Sequence, residues 1–99
     1  MNKDLFNLIR KSGFYDVMSI LYRYKDHVLG SRNLTFELQA IGSYYNSYLR
    51  VKKEMIRFKL IEYYLNESYL KCIRLTPRGV SMWEKIGEIN DMLEDPEHE

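Results

Sequence analysis

In the stretch KLIEYYLNESYLKCIRLTPRG, residues 59–79, the spacing of bulky residues changes twice. Before Lys59 apolar residues recur at helical intervals; after it they alternate. Ile61, Tyr63 and Leu65 fall on one face of a first strand, and Tyr69, Lys71, Ile73 and Leu75 on one face of a second. Asn66-Glu67-Ser68 supplies the polar turn, so the segment reads as a β-hairpin. Thr76 is then placed to cap a helix whose first residue is Pro77, where a missing N–H costs nothing.

Working back from the hairpin, residues 44–58 read as an amphipathic helix that buries Tyr48, Val51, Met55 and Phe58. Its other faces carry Asn46, Ser47, Arg50, Lys53, Glu54 and Arg57. A shorter helix over 34–41 precedes it, with Phe36, Leu38 and Ile41 available to pack. Gly42 stops that helix and Ser43 caps the next. Two helices joined by a tight glycine turn, the second one cationic, follow helix-turn-helix grammar, although helical pairs with basic faces are common.

Further upstream, Phe14, Val17, Met18, Leu21, Tyr24 and Val28 mark another amphipathic helix with Ser12 as its N-cap, and residues 26–33 read as a loop. Leu5, Phe6, Leu8 and Ile9 stripe a short helix over 3–11. Downstream, Met82, Ile86, Ile89 and Leu93 alternate at spacings of four and three, with Trp83 alongside, in a seam shorter than two heptads. Two readings stand for this seam. It covers the chain's own core, or it pairs with a second copy, as the acidic outer positions and the separate apolar N-terminal helix favour. Asp95-Pro96 ends it and leaves 95–99 as a tail.

A chain of 99 residues makes one domain, here residues 1–94, with the terminal helices at 1–11 and 76–94 around a central 14–75. The class is mainly α with a small β-hairpin. Formal net charge is only +1, but residues 1–42 hold six Lys/Arg against four Asp/Glu, residues 43–79 eight against three, and residues 80–99 one against seven. A basic middle and an acidic end suit a surface that holds an anion on one side and repels it on the other. Nine tyrosines suit strands and half-wet contact surfaces.

The chemistry of an enzyme is not visible. No glycine-rich phosphate loop, metal-ligand spacing or Ser or Cys with a His base is present, so no metal and no cofactor are expected. The single cysteine, Cys72, reads as a packing residue or as a redox thiol flanked by Lys71 and Arg74. No apolar run reaches membrane-spanning length and no signal-type segment follows Met1, so a cytoplasmic location off the membrane is expected.

The order helix, helix, turn, helix, strand, strand, helix resembles the winged helix-turn-helix family. The carriers are KLIEYY, similar to the family's GLI junction into the wing, and IRLTPRG, similar to its LT-x-x-G exit. Together they bracket the hairpin, and the resemblance covers roughly residues 14–93. Among relatives the chain is similar to MarR- and PadR-type regulators, and in layout to small archaeal winged-helix proteins that dimerise through a terminal coiled-coil helix. The residue style suits an archaeal or viral source. Lys59 departs from the family glycine, so the helix end there is expected not to be a left-handed cap.

The resemblance implies a transcriptional regulator that binds double-stranded DNA as a homodimer, with helix 44–58 in the major groove and hairpin 61–75 as wing. Residue by residue it implies Ser43, Tyr45, Asn46 and Ser47 near base edges or phosphate, Arg50 bidentate to guanine, and Lys53 and Arg57 on phosphate. Tyr45 also suits half-buried packing. Lys71 and Arg74 would meet the backbone from the wing, although alternation puts Lys71 on the inward face. Leu5, Phe6, Ile9, Met82, Trp83, Ile86, Ile89 and Leu93 would form the dimer interface. The alternatives are a winged helix that contacts protein and a non-specific chromatin protein; Glu54 and Glu62 decide, according to whether they interrupt the basic patch. Any small-molecule effector is unspecified.

Overall fold

The computed structural model of the chain describes residues 3–43 and 45–94. Along it run α1 (Asp4–Ile9), α2 (Phe14–Arg23), α3 (Ser31–Ala40), α4 (Tyr45–Arg57), β1 (Ile61–Leu65), β2 (Lys71–Leu75) and α5 (Pro77–Glu94). The expected helix start at Tyr44 and the tail at 95–99 lie outside the described residues.

Helical period decides what goes inside. Phe14, Val17, Met18 and Leu21 of α2 and Tyr48, Val51 and Met55 of α4 are all buried, and they close a core with Leu34, Leu38, Ile61 and Ile73. Each such side chain contributes about 1.5–3 kcal/mol by leaving water. Three expectations are corrected here. The second helix stops at Arg23, and Val28 is exposed instead of extending the stripe. Phe36 and Ile41 of the third segment are exposed, because Leu34 and Leu38, one turn apart, take the inward line. Ser12 is not the cap of α2. Gly13 holds that position at φ 95°, and a Cβ there would come within 3.0 Å of the Ser47 backbone carbonyl.

The presumed loop between α2 and α3 is also structured. Gly30 pairs with Cys72 on the edge of β2, and the Ile73 N–H donates to the Leu29 carbonyl at 3.0 Å. That contact covers the strand edge that β1 leaves open, buries Leu29 and Cys72, and starts α3 at Ser31, three residues before the expected Leu34. The buried Cys72 thiol donates to the Leu70 carbonyl at 3.5 Å.

Both ends of α4 are set by the same backbone device. At Gly42 (φ 77°) the Ser43 N–H reaches the Leu38 carbonyl and the Gly42 N–H reaches Gln39, a Schellman closure of α3. At Lys59 (φ 60°) the Leu60 N–H reaches Met55 and the Lys59 N–H reaches Ile56, which closes α4 identically. The expectation that Lys59 avoids a left-handed cap is therefore overturned: the closure demands the conformation whatever side chain stands there.

In the hairpin Ile61 faces Leu75, Tyr63 faces Ile73 and Leu65 faces Lys71. The turn is longer than expected. Asn66 Oδ1 accepts from the Ser68 and Leu70 N–H groups at 2.9 Å, Tyr69 adopts φ 60°, and β2 begins at Lys71 instead of Tyr69. Past β2, the Thr76 N–H donates to the Leu60 carbonyl, and the Thr76 hydroxyl donates to the Lys59 carbonyl while accepting from the Gly79 N–H. The LT-x-x-G exit thus ties the start of α5 to the start of the hairpin, with Gly79 pressed on the Leu60 carbonyl.

Candidate nucleic-acid interface

Viewed down its axis, α4 turns Ser47, Tyr48, Val51 and Met55 inward and leaves Tyr45, Asn46, Leu49, Arg50, Lys53, Ile56 and Arg57 exposed. At about 100° per residue these seven fill one continuous arc. Three are cations and none is acidic. The two carboxylates that could interrupt the patch are engaged beside it: Glu54 lies 3.1 Å from Lys11 Nζ, and Glu62 lies 2.9 Å from Arg74 Nε. Among the described residues neither Arg50 nor Lys53 is held in a salt bridge. The Arg57 guanidinium stacks over Phe58 at 4.9 Å.

Two residues expected on this surface are elsewhere. Ser47 is buried, its hydroxyl 3.1 Å from that of Ser12, because it lies a little over half a turn from Tyr45 on the inward side. Arg74 pairs with Glu62, stacks over Tyr64 at 4.1 Å, and occupies the hairpin face opposite Lys71. Ser43 is half-buried, with its N–H committed to Leu38. Lys71 is exposed on the Tyr63 face, its ammonium 4.4 Å from that ring.

What the fold brings together, and sequence spacing missed, is a pocket of about 280 Å³ where the first residues of α3 meet α4 and the hairpin. Arg32, Lys52 and Lys71 line it beside Tyr45, Tyr48 and Tyr63. The Tyr48 and Tyr63 phenols share a short hydrogen bond. Burial first, and that bond second, push the Tyr48 phenol well above the ordinary tyrosine range, so it stays protonated. Lys52 lies one turn from Tyr48, at the margin of the exposed arc; a cation four residues beyond a core aromatic was the available signal.

Comparison with solved structures places this arrangement. No family model and no curated protein matches the chain in sequence. In three dimensions it is similar to Staphylococcus aureus MepR, a transcription regulator of the multidrug efflux pump MepA, with a TM-score of 0.68 and 22% identity over 92% of this chain and 64% of that one. The S. aureus MepR–DNA complex superposes with a TM-score of 0.70, at 22% identity, over 96% of this chain and 74% of that one. MepR bound to ethidium bromide gives 0.66 at 22% identity, over 93% and 65%. The fold is a winged helix like that of MepR. At this identity the likeness speaks for the fold, and the chain spans about two-thirds of the length of the uncomplexed MepR chain.

In the winged helix α3 and α4 are the helical pair and the β1–β2 hairpin is the wing. The terminal helices carry the remaining predicted residues. Leu5, Phe6 and Ile9 of α1 are exposed while Leu8 anchors the helix. Met82 and Ile86 are half-buried on the core, and Trp83 meets Phe14 and Tyr15 edge-on at 6.3 and 5.5 Å, so its indole is engaged within the chain. Ile89 and Leu93 are exposed, as is all of α5 from residue 87 to 94. Among the described residues no group of three or more His, Cys, Asp or Glu is arranged to hold a metal ion, and no helix is long and apolar enough to cross a membrane.

Proposed function

We propose that the chain is a non-enzymatic, sequence-specific double-stranded DNA-binding protein that acts as a homodimer, a transcriptional regulator of the cytoplasm. The observation that carries this reading is the acid-free cationic arc of α4, with both neighbouring carboxylates drawn off to Lys11 and Arg74. An α-helix of this width enters the major groove. Arg50 takes the bidentate guanine contact, Asn46 and Tyr45 lie nearer the helix start, and Lys53 and Arg57 meet phosphate. The exposed Leu49 and Ile56 on the same arc suit thymine methyl groups.

Dimerisation is supported by the end of α5. A helix whose residues 87–94 are all exposed has little to hold it, and an apolar groove between α1 and α5, lined by Leu5, Met82, Ile86 and Ile89, runs beside it. Pairing two copies there sets two α4 helices on one duplex, about 34 Å apart if they occupy successive major grooves. Selection from random duplex DNA, run in parallel with Arg50→Ala, tests the reading. Enrichment of a roughly palindromic site is expected, and the variant, which loses one guanine contact in each half-site, should bind it at least about 30-fold more weakly. No enrichment, or no loss in the variant, refutes it; equal affinity for selected and random duplex would make this a general DNA-coating protein.

A further inference from the structure

The pocket at the α3–α4–wing junction joins cations from three separate elements: Arg32 from α3, Lys52 from α4 and Lys71 from β2. None of its lining residues is acidic. The Lys52 and Lys71 ammonium groups stand 5.0 and 4.4 Å from the centroid of the same Tyr63 ring. Two like charges drawn to one ring repel each other, and the ring's quadrupole offsets only part of that. In the Tyr48–Tyr63 pair one hydroxyl hydrogen is used between the phenols, which leaves the accepting phenol a hydrogen of its own to donate. Ser31 and Arg32 open α3, so the positive end of that helix adds to the field.

We propose that this pocket holds a single phosphate group, namely one backbone phosphate of the bound duplex, gripped jointly by Lys52 and Lys71. The inference rests on the DNA-binding reading for its source of phosphate, and free phosphate offers the same chemistry. One anion shared by the recognition helix and the wing would lock the two elements on the backbone as a unit, since Tyr48 and Tyr63 already bridge them.

Sharing makes a quantitative demand on the full chain. At 0.1 M salt, losing one phosphate contact costs about eightfold in affinity and flattens the salt slope by about 0.9, so a dimer that loses the pocket from both protomers is weakened about 60-fold and its slope flattens by about 1.8. Lys52→Gln combined with Lys71→Gln should therefore cost about 60-fold in total, little more than the worse single variant. Losses that multiply to about 4,000-fold, with a slope change of about 3.6, would mean two separate phosphates in each protomer and overturn the proposal. Circular dichroism confirms that the variants are folded. Where the parent binds duplex, this arm decides.

If the parent binds no duplex at any salt, the DNA reading fails by itself, and inorganic phosphate becomes the probe. Amide NMR shifts at Ser31, Arg32 and Lys71 with millimolar phosphate, absent with chloride at equal ionic strength and absent in the double variant, would support the pocket with a free phosphate as its occupant. No such shifts would overturn it.

Discussion

Two glycines on one helix should respond to alanine with opposite signs. A Cβ built on Gly79 stands 2.1 Å from the Leu60 carbonyl oxygen and 3.2 Å from Leu75, whereas one built on Gly87 meets nothing within 4 Å. Relieving the first contact to an ordinary C···O distance of about 3.3 Å requires α5 to shift by more than ~1 Å. That shift works against the Thr76 N–H bond to Leu60 and the Gly79 N–H bond to the Thr76 hydroxyl, both 3.0 Å. Overpacking costs about 1–3 kcal/mol, strained hydrogen bonds about 0.5–1.5 kcal/mol each, and alanine's helix propensity returns about 1 kcal/mol. Gly79→Ala should lose about 2–3 kcal/mol, a fall in Tm of about 10–20 °C for a domain of this size. Gly87→Ala, with only the propensity acting, should gain up to about 1 kcal/mol. Thermal and urea melts at one protein concentration measure both. If Gly79→Ala matched or exceeded the parent, the close seating of α5 on the hairpin entrance would be wrong, and with it the physical reason for the LT-x-x-G exit.

Lys59→Gly should stabilise by about 0.5–1 kcal/mol, because φ 60° strains a side chain more than the glycine's extra unfolded freedom costs; a destabilised variant in urea melts would refute this. Ser47→Ala should cost about 0.5–1.5 kcal/mol through the lost Ser12 bond and leave the affinity of the folded protein for DNA unchanged, whereas a direct DNA contact would reverse that pattern. The raised Tyr48 phenol makes a pH prediction. Its contribution to stability is complete below pH ~10, where the unfolded tyrosine begins to ionise, and is lost above it at about 1.4 kcal/mol per pH unit. Tyr48→Phe should flatten the alkaline stability slope by that amount, and equal slopes would refute the burial argument.

Much of this fold is written in period. The switch from helical to alternating spacing after Lys59 marks the hairpin, and the stripes of α2 and α4 mark their buried sides, because those patterns extend over several turns or pairs. The Leu29–Gly30 bridge was illegible for the opposite reason: two residues carry no period, and only tertiary pairing gives them strand character. Residue identity likewise says little about φ at Lys59, where the closure of α4 outweighs a local preference. Side-chain placement was partly readable. Lys71 and Arg74 are three apart on one strand and so lie on opposite faces, which alternation alone dictates and which separates Arg74 from the α4 arc. Ser47 illustrates a boundary failure, one position past the edge of an arc whose inward limit depends on what Gly13 and Ser12 bring beside it.

Net charge near zero hides how the surface is divided. Glu84, Glu88, Asp91 and Glu94 lie along exposed α5, while the cations of α4 and of the pocket gather at the other functional face. Exposed Tyr45, Leu49 and Ile56 among those cations would also suit a protein partner, and salt separates the two readings. With Lys53, Arg57 and the shared pocket each neutralising one phosphate, a dimer contacts about six, which gives a slope of log affinity against log salt near −5. Raising salt from 0.05 to 0.2 M should then weaken binding to the selected site by roughly a thousandfold. An apolar protein contact buries the same side chains without releasing counterions and would hardly change over that range. Duplex affinity that stays level across it would therefore take the α4 arc away from DNA, however well the helix fits a groove.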